Sequence, residues 1–266
     1  EKDLKKHLPK ADIYITGSDQ VWGGTLSPNY LCFVPENKLK CSYAASFGKK
    51  VIREEQQKVI SPWLKRFDYI SVRESSGIDI CKKIGIKAQQ VLDPTLLLDA
   101  VEYPVKIEKN TTEIFCYFLN ISSNEQVYWE KIRNFANRKK MSVGVSCTED
   151  TFKYFKKEEM LFLTPEEWLN HYYNAKCIIT NTFHGTVFAI IFNKPFIVIT
   201  QKGKTGKQNE RIYSLLESFH LTDRLYNPKE EITKQIEKPI DWEKVNNKIK
   251  SGRKASFEYI QMIGDK

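Results

Sequence analysis

The sequence predicts an α/β chain of two parallel-sheet domains with a cleft between them. Three observations predict it: short β-rich apolar runs alternate with longer amphipathic stretches, the alternation stops at a polar, Pro-containing segment near 99–111, and it then starts again. Strand–helix alternation is the pattern of βαβ units, whose crossover helices cover a parallel sheet. A length of 266 residues suits two such domains. With 41% hydrophobic and 28% charged residues the chain can bury a sizeable core, which excludes disorder and collagen-like repeats.

In the first half, strands are expected at 12–16, 40–46, 69–73 and 88–92. A helix over 53–66 carries Pro62, which breaks or kinks it. Ser75 is placed to cap a helix over 76–84, and Gly85 stands where a left-handed stop is wanted. Beyond the boundary come strand 113–119, helix 123–139, strand 141–145 and a short strand at 160–163. Thr164-Pro165-Glu166-Glu167 then opens a helix, combining a capping box with proline at the first helical position. Strand 176–180 runs into Asn181-Thr182-Phe183-His184-Gly185 and a helix to about 192, followed by strand 196–200 and a helix from about 209. The tail from Asp241 reads as one polar helix. The expected domains are 1–104, incomplete at its start, and 105–240, with 241–266 packing back across the junction.

The balance of 42 Lys+Arg against 33 Asp+Glu gives +9, which suits a phosphorylated metabolite, an acidic glycan, a membrane surface or nucleic acid. Nucleic acid is the weakest of these, because the lysines are dispersed and no recognised module is present. The six cysteines form no C-x-x-C, no metal is expected, and most sit in apolar runs where a reduced thiol behaves as a small core residue, pointing to a reducing cytoplasm. No apolar run approaches the ~18 residues of a membrane span, so the expected membrane contact is peripheral, at the inner face.

In parallel-sheet folds ligands gather beyond the carboxyl ends of the strands, so polar residues just after strand-like runs are the candidates. Gly17-Ser18-Asp19-Gln20-Val21-Trp22 presents hydroxyl, carboxylate and amide after the first strand, or else forms an Asx-type turn with Trp22 as packing. The small residues of Ser42-Tyr43-Ala44-Ala45-Ser46-Phe47-Gly48 read first as a tightly packed central strand, and otherwise admit close approach of a ligand. Arg73-Glu74 offers a guanidinium for carboxylate or phosphate, or a plain ion pair. Asp93-Pro94-Thr95 is a further polar turn. His184 is expected at a helix start, where backbone N–H groups favour anions, whereas His7, His171 and His220 read as structural. The loop 201–208, followed by Arg211, fails the P-loop pattern, which needs glycine at Gln201 and Ser or Thr at Gln208. It is a cationic loop that closes over an anion, or a solvated connector.

Taken together, GSDQVW, SYAASFG, VRE (72–74), LDPTLLL (92–98), TPEEWL (164–169) and TNTFHGTVFAIIFNKPF resemble the polysaccharide pyruvyl transferase family, in motif order, over about residues 12–225. The resemblance implies a GT-B-like fold of two Rossmann-like domains. It also implies transfer of the enolpyruvyl skeleton of phosphoenolpyruvate onto sugar hydroxyls of a cell-surface polysaccharide, leaving a pyruvate ketal, with no cofactor. The acceptor would be a sugar or a lipid-linked oligosaccharide. Competing readings are a GT-B glycosyltransferase using a nucleotide sugar and a non-catalytic glycan-binding protein.

Two departures from the family pattern stand out. The GSDQVW-like motif starts at residue 17, without the strand and Gly/Asn-rich loop that usually precede it, so the chain reads as truncated or divergent there. Thr182 occupies the place where one branch has arginine two residues before the histidine. Donor binding then falls to Arg73 and Arg211. The expected catalytic residues are His184 and Asp19. Those expected to bind substrate are Ser18, Gln20, Ser46, Arg73, Glu74, Asp93, Asn181, Thr182, Phe183, Gly185, Thr186, Lys202 and Arg211.

Overall fold

The computed structural model describes residues 2–108, 111–203, 206 and 209–265. The fold is α/β with parallel strand pairing throughout. It divides into two compact units, Glu1–Leu97 with Asn246–Lys266, and Leu98–Val245.

In the first unit, α1 (Lys2–Lys6) precedes β1 (Ile13–Thr16), β2 (Leu39–Ser42), α2 (Glu54–Leu64), β3 (Ser71–Val72), α3 (Ser75–Lys83) and β4 (Gln89–Gln90). β1 pairs with β2 and β3 with β4. Single bridges Cys41↔Tyr69 and Ala45↔Val72 join the two pairs, so the order is β1-β2-β3-β4. Strand 40–46 was expected to be longer. It stops at Ser42 because Ala44 adopts a left-handed backbone (φ 53°). Two serines fill the gap in the ladder: Ser42 Oγ donates to the Ser71 carbonyl and Ser71 Oγ to the Ser42 carbonyl, each at 2.9 Å, and both side chains are fully buried. Side-chain hydroxyls thus satisfy backbone groups that a strand would have paired.

Ser75 is not the cap of α3. Glu74 holds that position with an extended backbone, and Ser75 is already helical. Gly85 supplies the expected left-handed stop (φ 75°). α2 carries Pro62 and ends two residues later. Trp22 is completely buried, stacked on Tyr30 at 5.9 Å and tilted against Phe47 at 5.3 Å, in the core that α2 and α3 cover.

The second unit runs β5 (Ile114–Tyr117), α4 (Trp129–Lys139), β6 (Val143–Ser146), β7 (Met160–Leu161), α5 (Pro165–Asn174), β8 (Cys177–Thr180), α6 (Phe183–Ile191), β9 (Phe196–Val198), α7 (Glu210–Ser218) and α8 (Ile232–Glu237). Its five strands lie in the order β7-β6-β5-β8-β9. This is a doubly wound sheet whose strand order reverses between β5 and β8. The capping box at Thr164 forms as expected, with the Thr164 hydroxyl accepting from Glu167 N–H and the Glu167 carboxylate from Thr164 N–H. Helix 123–139 is interrupted: a 3₁₀ turn at Asn124–Val127 is followed by left-handed Tyr128 (φ 54°), and α4 begins only at Trp129. α8 was not expected.

The tail forms α9 (Trp242–Gly264). It is amphipathic rather than polar, burying Val245, Ile249, Tyr259 and Ile263. Tyr259 Oη donates to the Ser42 carbonyl at 2.8 Å and Ser256 Oγ accepts from Leu92 N–H at 3.0 Å, tying α9 to the first unit. Among the described residues no helix is long and apolar enough to cross a membrane. None of the six cysteines is disulfide-bonded, and burial pushes the Cys81 and Cys177 thiols up to about 12.

Candidate functional site

Each unit gathers its polar candidates at the carboxyl ends of its strands, where the chain leaves the sheet and backbone polar groups are no longer tied up in ladders. In the first unit these are the segments after β1 to β4. The Arg73 side chain is 3% exposed, and its Nη1 donates to Asp93 Oδ2 at 2.8 Å and to Ser18 Oγ at 3.3 Å. Ser18 Oγ donates to the same Asp93 oxygen at 2.9 Å, while the other Asp93 oxygen accepts from Thr95 N–H (3.1 Å) and Thr95 Oγ1 (2.7 Å). Asp93 therefore both caps its turn and holds the guanidinium.

Glu74, with its side chain 1% exposed, lies 4.0 Å from Arg73 Nε and accepts from the buried Ser46 hydroxyl. Asp19 Oδ1 lies 3.8 Å from Arg73 Nη2. Three carboxylates thus surround one guanidinium, and they differ in access. Asp93 and Glu74 are inside, whereas the Asp19 side chain is 66% exposed. Asp19 also has a left-handed backbone (φ 96°), uncommon for a residue with a Cβ. Its carbonyl is held by Val21 N–H at 2.8 Å and Ser46 N–H at 2.9 Å, which over-determines the turn. Gln20 lies over Gly48, where a Cβ would fall 1.8 Å from Gln20 Nε2.

In the second unit, five of the six residues Asn181–Thr186 are buried, and His184 is the half-buried exception. The buried ones build the turn. Asn181 clamps the Leu119 backbone, its Oδ1 accepting from Leu119 N–H at 2.9 Å and its Nδ2 donating to Leu119 O at 2.8 Å, so β5 and β8 are tied at the reversal point. Thr182 caps α6 by accepting from Gly185 N–H at 2.9 Å, and Thr186 Oγ1 donates back to Thr182 O at 2.8 Å. A Cβ on Gly185 would stand 2.3 Å from Thr180 Oγ1 and 2.5 Å from Thr182 Oγ1, so this place in the motif admits only glycine without displacement. Phe183 is 4% exposed, and the His184 ring meets it edge-on at 5.3 Å. The Arg211 guanidinium lies over the same Phe183 ring at 5.9 Å.

Lys202, exposed after β9, donates to Tyr128 Oη at 3.0 Å. Lys204, Thr205, Lys207 and Gln208 of the cationic loop lie outside the described residues. Tyr128 was not singled out in the sequence. No local pattern marks it, since its partner is 74 residues away. Among the described residues no group of three or more His, Cys, Asp or Glu is placed to hold a metal.

The arrangement has two chemical characters. The first unit offers carboxylates suited to accepting hydrogen bonds from hydroxyls, with Asp19 open to solvent. The second offers His184 in the first turn of α6, Arg211 over the neighbouring Phe183 ring and Lys202 on the loop after β9, cationic or proton-carrying groups suited to an anion.

Residues 1–203 match the family described as polysaccharide pyruvyl transferase. The chain belongs to the polysaccharide pyruvyl transferase family. No curated protein matches it. Among solved structures, the UDP-GlcNAc 2-epimerase of Neisseria meningitidis bound to UDP-GlcNAc aligns with 97% of this chain and 78% of its own at 10% identity and TM-score 0.53. The enzyme of that name from Rickettsia bellii aligns over 99% and 76% at 12% identity and TM-score 0.51. The Methanocaldococcus jannaschii UDP-GlcNAc 2-epimerase aligns over 80% and 71% at 14% identity and TM-score 0.52. At such identities the likeness is one of fold, and this pyruvyl transferase family member shares the GT-B-like α/β architecture.

Proposed function

We propose that the protein transfers the pyruvyl group of phosphoenolpyruvate to two hydroxyls of a sugar destined for a cell-surface polysaccharide, closing a pyruvate ketal and releasing phosphate. The observation that carries this reading is the turn at 181–186, in which every residue is buried in support of the fold except the half-buried His184. Phosphoenolpyruvate becomes electrophilic at C2 only when C3 is protonated. His184 is the group we assign to that protonation. The proton goes to C3, a sugar hydroxyl attacks C2, the C2–O bond to phosphate breaks, and a second hydroxyl closes the ketal. Of the two hydroxyl protons, one leaves with phosphate and the other passes to a base, restoring the His184 proton.

Arg211 and Lys202 supply positive charge for the carboxylate and phosphate of the donor, whereas Arg73, buried among Asp93, Glu74 and Asp19, is matched by carboxylates within its own unit. Charge-assisted contacts of this kind are about twice as strong as neutral ones. Ser18 and Gln20 are half-buried beside Asp19 and suit hydroxyl recognition on a sugar or lipid-linked oligosaccharide. Ser46, Glu74, Asp93, Asn181, Thr182, Phe183, Gly185 and Thr186 support these groups from behind.

The test is turnover of His184 variants with phosphoenolpyruvate and a panel of hexosides. His184→Ala is expected to fold normally and to lose roughly 10²–10⁴-fold in turnover. His184→Gln keeps a hydrogen bond but delivers no proton, and near-wild-type turnover with it would remove the acid role. Arg211→Ala is expected to weaken phosphoenolpyruvate binding by at least about tenfold, the factor that corresponds to 1.4 kcal/mol. Equal affinity by calorimetry would count against it.

A further inference from the structure

Lys202 is held at both ends. Its chain neighbour Gln201 is fixed by Asn209, whose Oδ1 accepts from Gln201 N–H at 3.0 Å and whose Nδ2 donates to Gln201 O at 2.8 Å. Gln201 Nε2 also donates to the Asn181 carbonyl at 3.3 Å, joining this loop to the turn that carries His184. At the far end, the Lys202 ammonium donates to Tyr128 Oη at 3.0 Å and lies 4.9 Å from the centre of that ring.

The path between these ends follows from sheet order. Tyr128 belongs to the connection leaving β5 and Lys202 to the one leaving β9, with β8 between them. Two strand spacings amount to about 10 Å. The contact between Lys202 and Tyr128 therefore joins the connection leaving β9 to the one leaving β5, and Gln201 ties the same loop to Asn181, just after β8. Tyr128 is itself immobilised. Its backbone is left-handed (φ 54°), its ring meets Tyr226 edge-on at 4.9 Å, and Lys131 lies 5.7 Å from its centre while donating to Pro228 O at 2.8 Å. A bulky residue in this backbone region is strained and persists only where its surroundings hold it there.

We infer that Tyr128 is a positioning residue for Lys202, holding the lysine beside the reversal point of the sheet so that its charge is in place before the donor anion arrives. This rests on the donor chemistry proposed above. A free lysine must be ordered on binding, and a pre-ordered one raises affinity by removing that cost. Tyr128 thereby acts on donor affinity without touching the reacting carbons.

Tyr128→Phe removes the oxygen and keeps the ring, so packing against Tyr226 and Lys131 survives. It is expected to raise the KM for phosphoenolpyruvate roughly three- to tenfold, with kcat changed less than about twofold. In a Lys202→Ala background the same substitution is expected to do nothing further, because the group it positions is gone. Brief acetylation with acetic anhydride, read by peptide mass spectrometry against Lys58, supplies a readout independent of turnover. Lys202 is expected to label at least about twofold faster in Tyr128→Phe than in wild type, since the ammonium loses the Tyr128 hydroxyl as an acceptor. Faster labelling in a protein inactive towards phosphoenolpyruvate would remove the proposed reaction and leave the positioning role standing. Equal labelling, or an additive KM effect in the Lys202→Ala background, would overturn the inference.

Discussion

Asn181 offers a quantitative test of how the reversal point of the second sheet is held together. Replacing it by alanine removes two hydrogen bonds to one residue, at 2.9 and 2.8 Å, and leaves the Leu119 N–H and C=O without their partners. Each unsatisfied backbone group costs about 1–3 kcal/mol when buried. Leu119 is itself half-buried, so water reaches part of the gap and the lower half of that range applies. The expected loss is about 3 kcal/mol, or roughly 6–12 °C in Tm for a cooperative unit of this size.

Asn181→Asp sharpens the test because it is isosteric. One carboxylate oxygen still accepts from Leu119 N–H, but the other faces the Leu119 carbonyl, oxygen against oxygen. Burial and that carbonyl raise the folded pKa above the ordinary carboxylate value of about 3.9. A raised pKa means that the folded state binds its proton more readily than the unfolded state does. Stability relative to Asn181→Ala is therefore gained as pH falls through the folded pKa, where the O–H donates to the carbonyl, and lost as pH rises. Thermal unfolding of wild type, Asn181→Ala and Asn181→Asp from about pH 8 to pH 5 checks both parts. A loss below about 1 kcal/mol for alanine, or a pH-independent gap between the two variants, would refute the clamp.

Three further outcomes follow from the packing. Gly185→Ala is expected to cost about 1–3 kcal/mol by overpacking against the Thr180 and Thr182 hydroxyls, read as a lowered denaturation midpoint with an unchanged slope. His171 stacks on Phe115 at 5.2 Å, and burial lowers its pKa below the ordinary 6.5 despite Glu108 and Glu167 nearby. A histidine with a depressed folded pKa costs stability as pH falls below its unfolded value, so His171→Phe should flatten the decline in Tm below about pH 6.5, and an unchanged slope would contradict this. For Glu159, burial works to raise the carboxyl, yet Arg133, Lys156 N–H and Trp129 Nε1 together hold it below the usual range. Glu159→Gln should therefore destabilise at neutral pH and lose that penalty as pH falls towards the carboxylate range, as urea midpoints across pH would show.

What was legible in the sequence was local. The apolar run before Asn181, the capping box at Thr164 and the glycine at 85 each declare a structure within a few residues, and each element stands where the pattern places it. The family motifs were legible for a related reason, since they are short segments bound to the ends of strands. What was not legible depends on partners distant in the chain. Ser42 and Ser71 replace ladder bonds that a strand over 40–46 would have made, and nothing near Ser42 announces Ser71. Arg73 reads as a ligand cation or as an ion pair with its neighbour Glu74, and nothing near it announces Asp93, which lies against it at 2.8 Å. Asn181 reads as a ligand group until both of its amide functions are found on Leu119. Left-handed Ala44 and Tyr128 could not be foreseen, because neither residue type favours that conformation and only the surrounding fold enforces it.

The central claim is chemical, and one measurement addresses it directly. The wild-type protein is incubated with phosphoenolpyruvate and a panel of hexosides and lipid-linked oligosaccharides, and released phosphate is followed together with the mass of the sugar. The account predicts phosphate release matched one for one by a sugar heavier by one pyruvate less one water, with both lost in His184→Ala. Phosphoenolpyruvate left intact while a nucleotide sugar is consumed under the same conditions would contradict it.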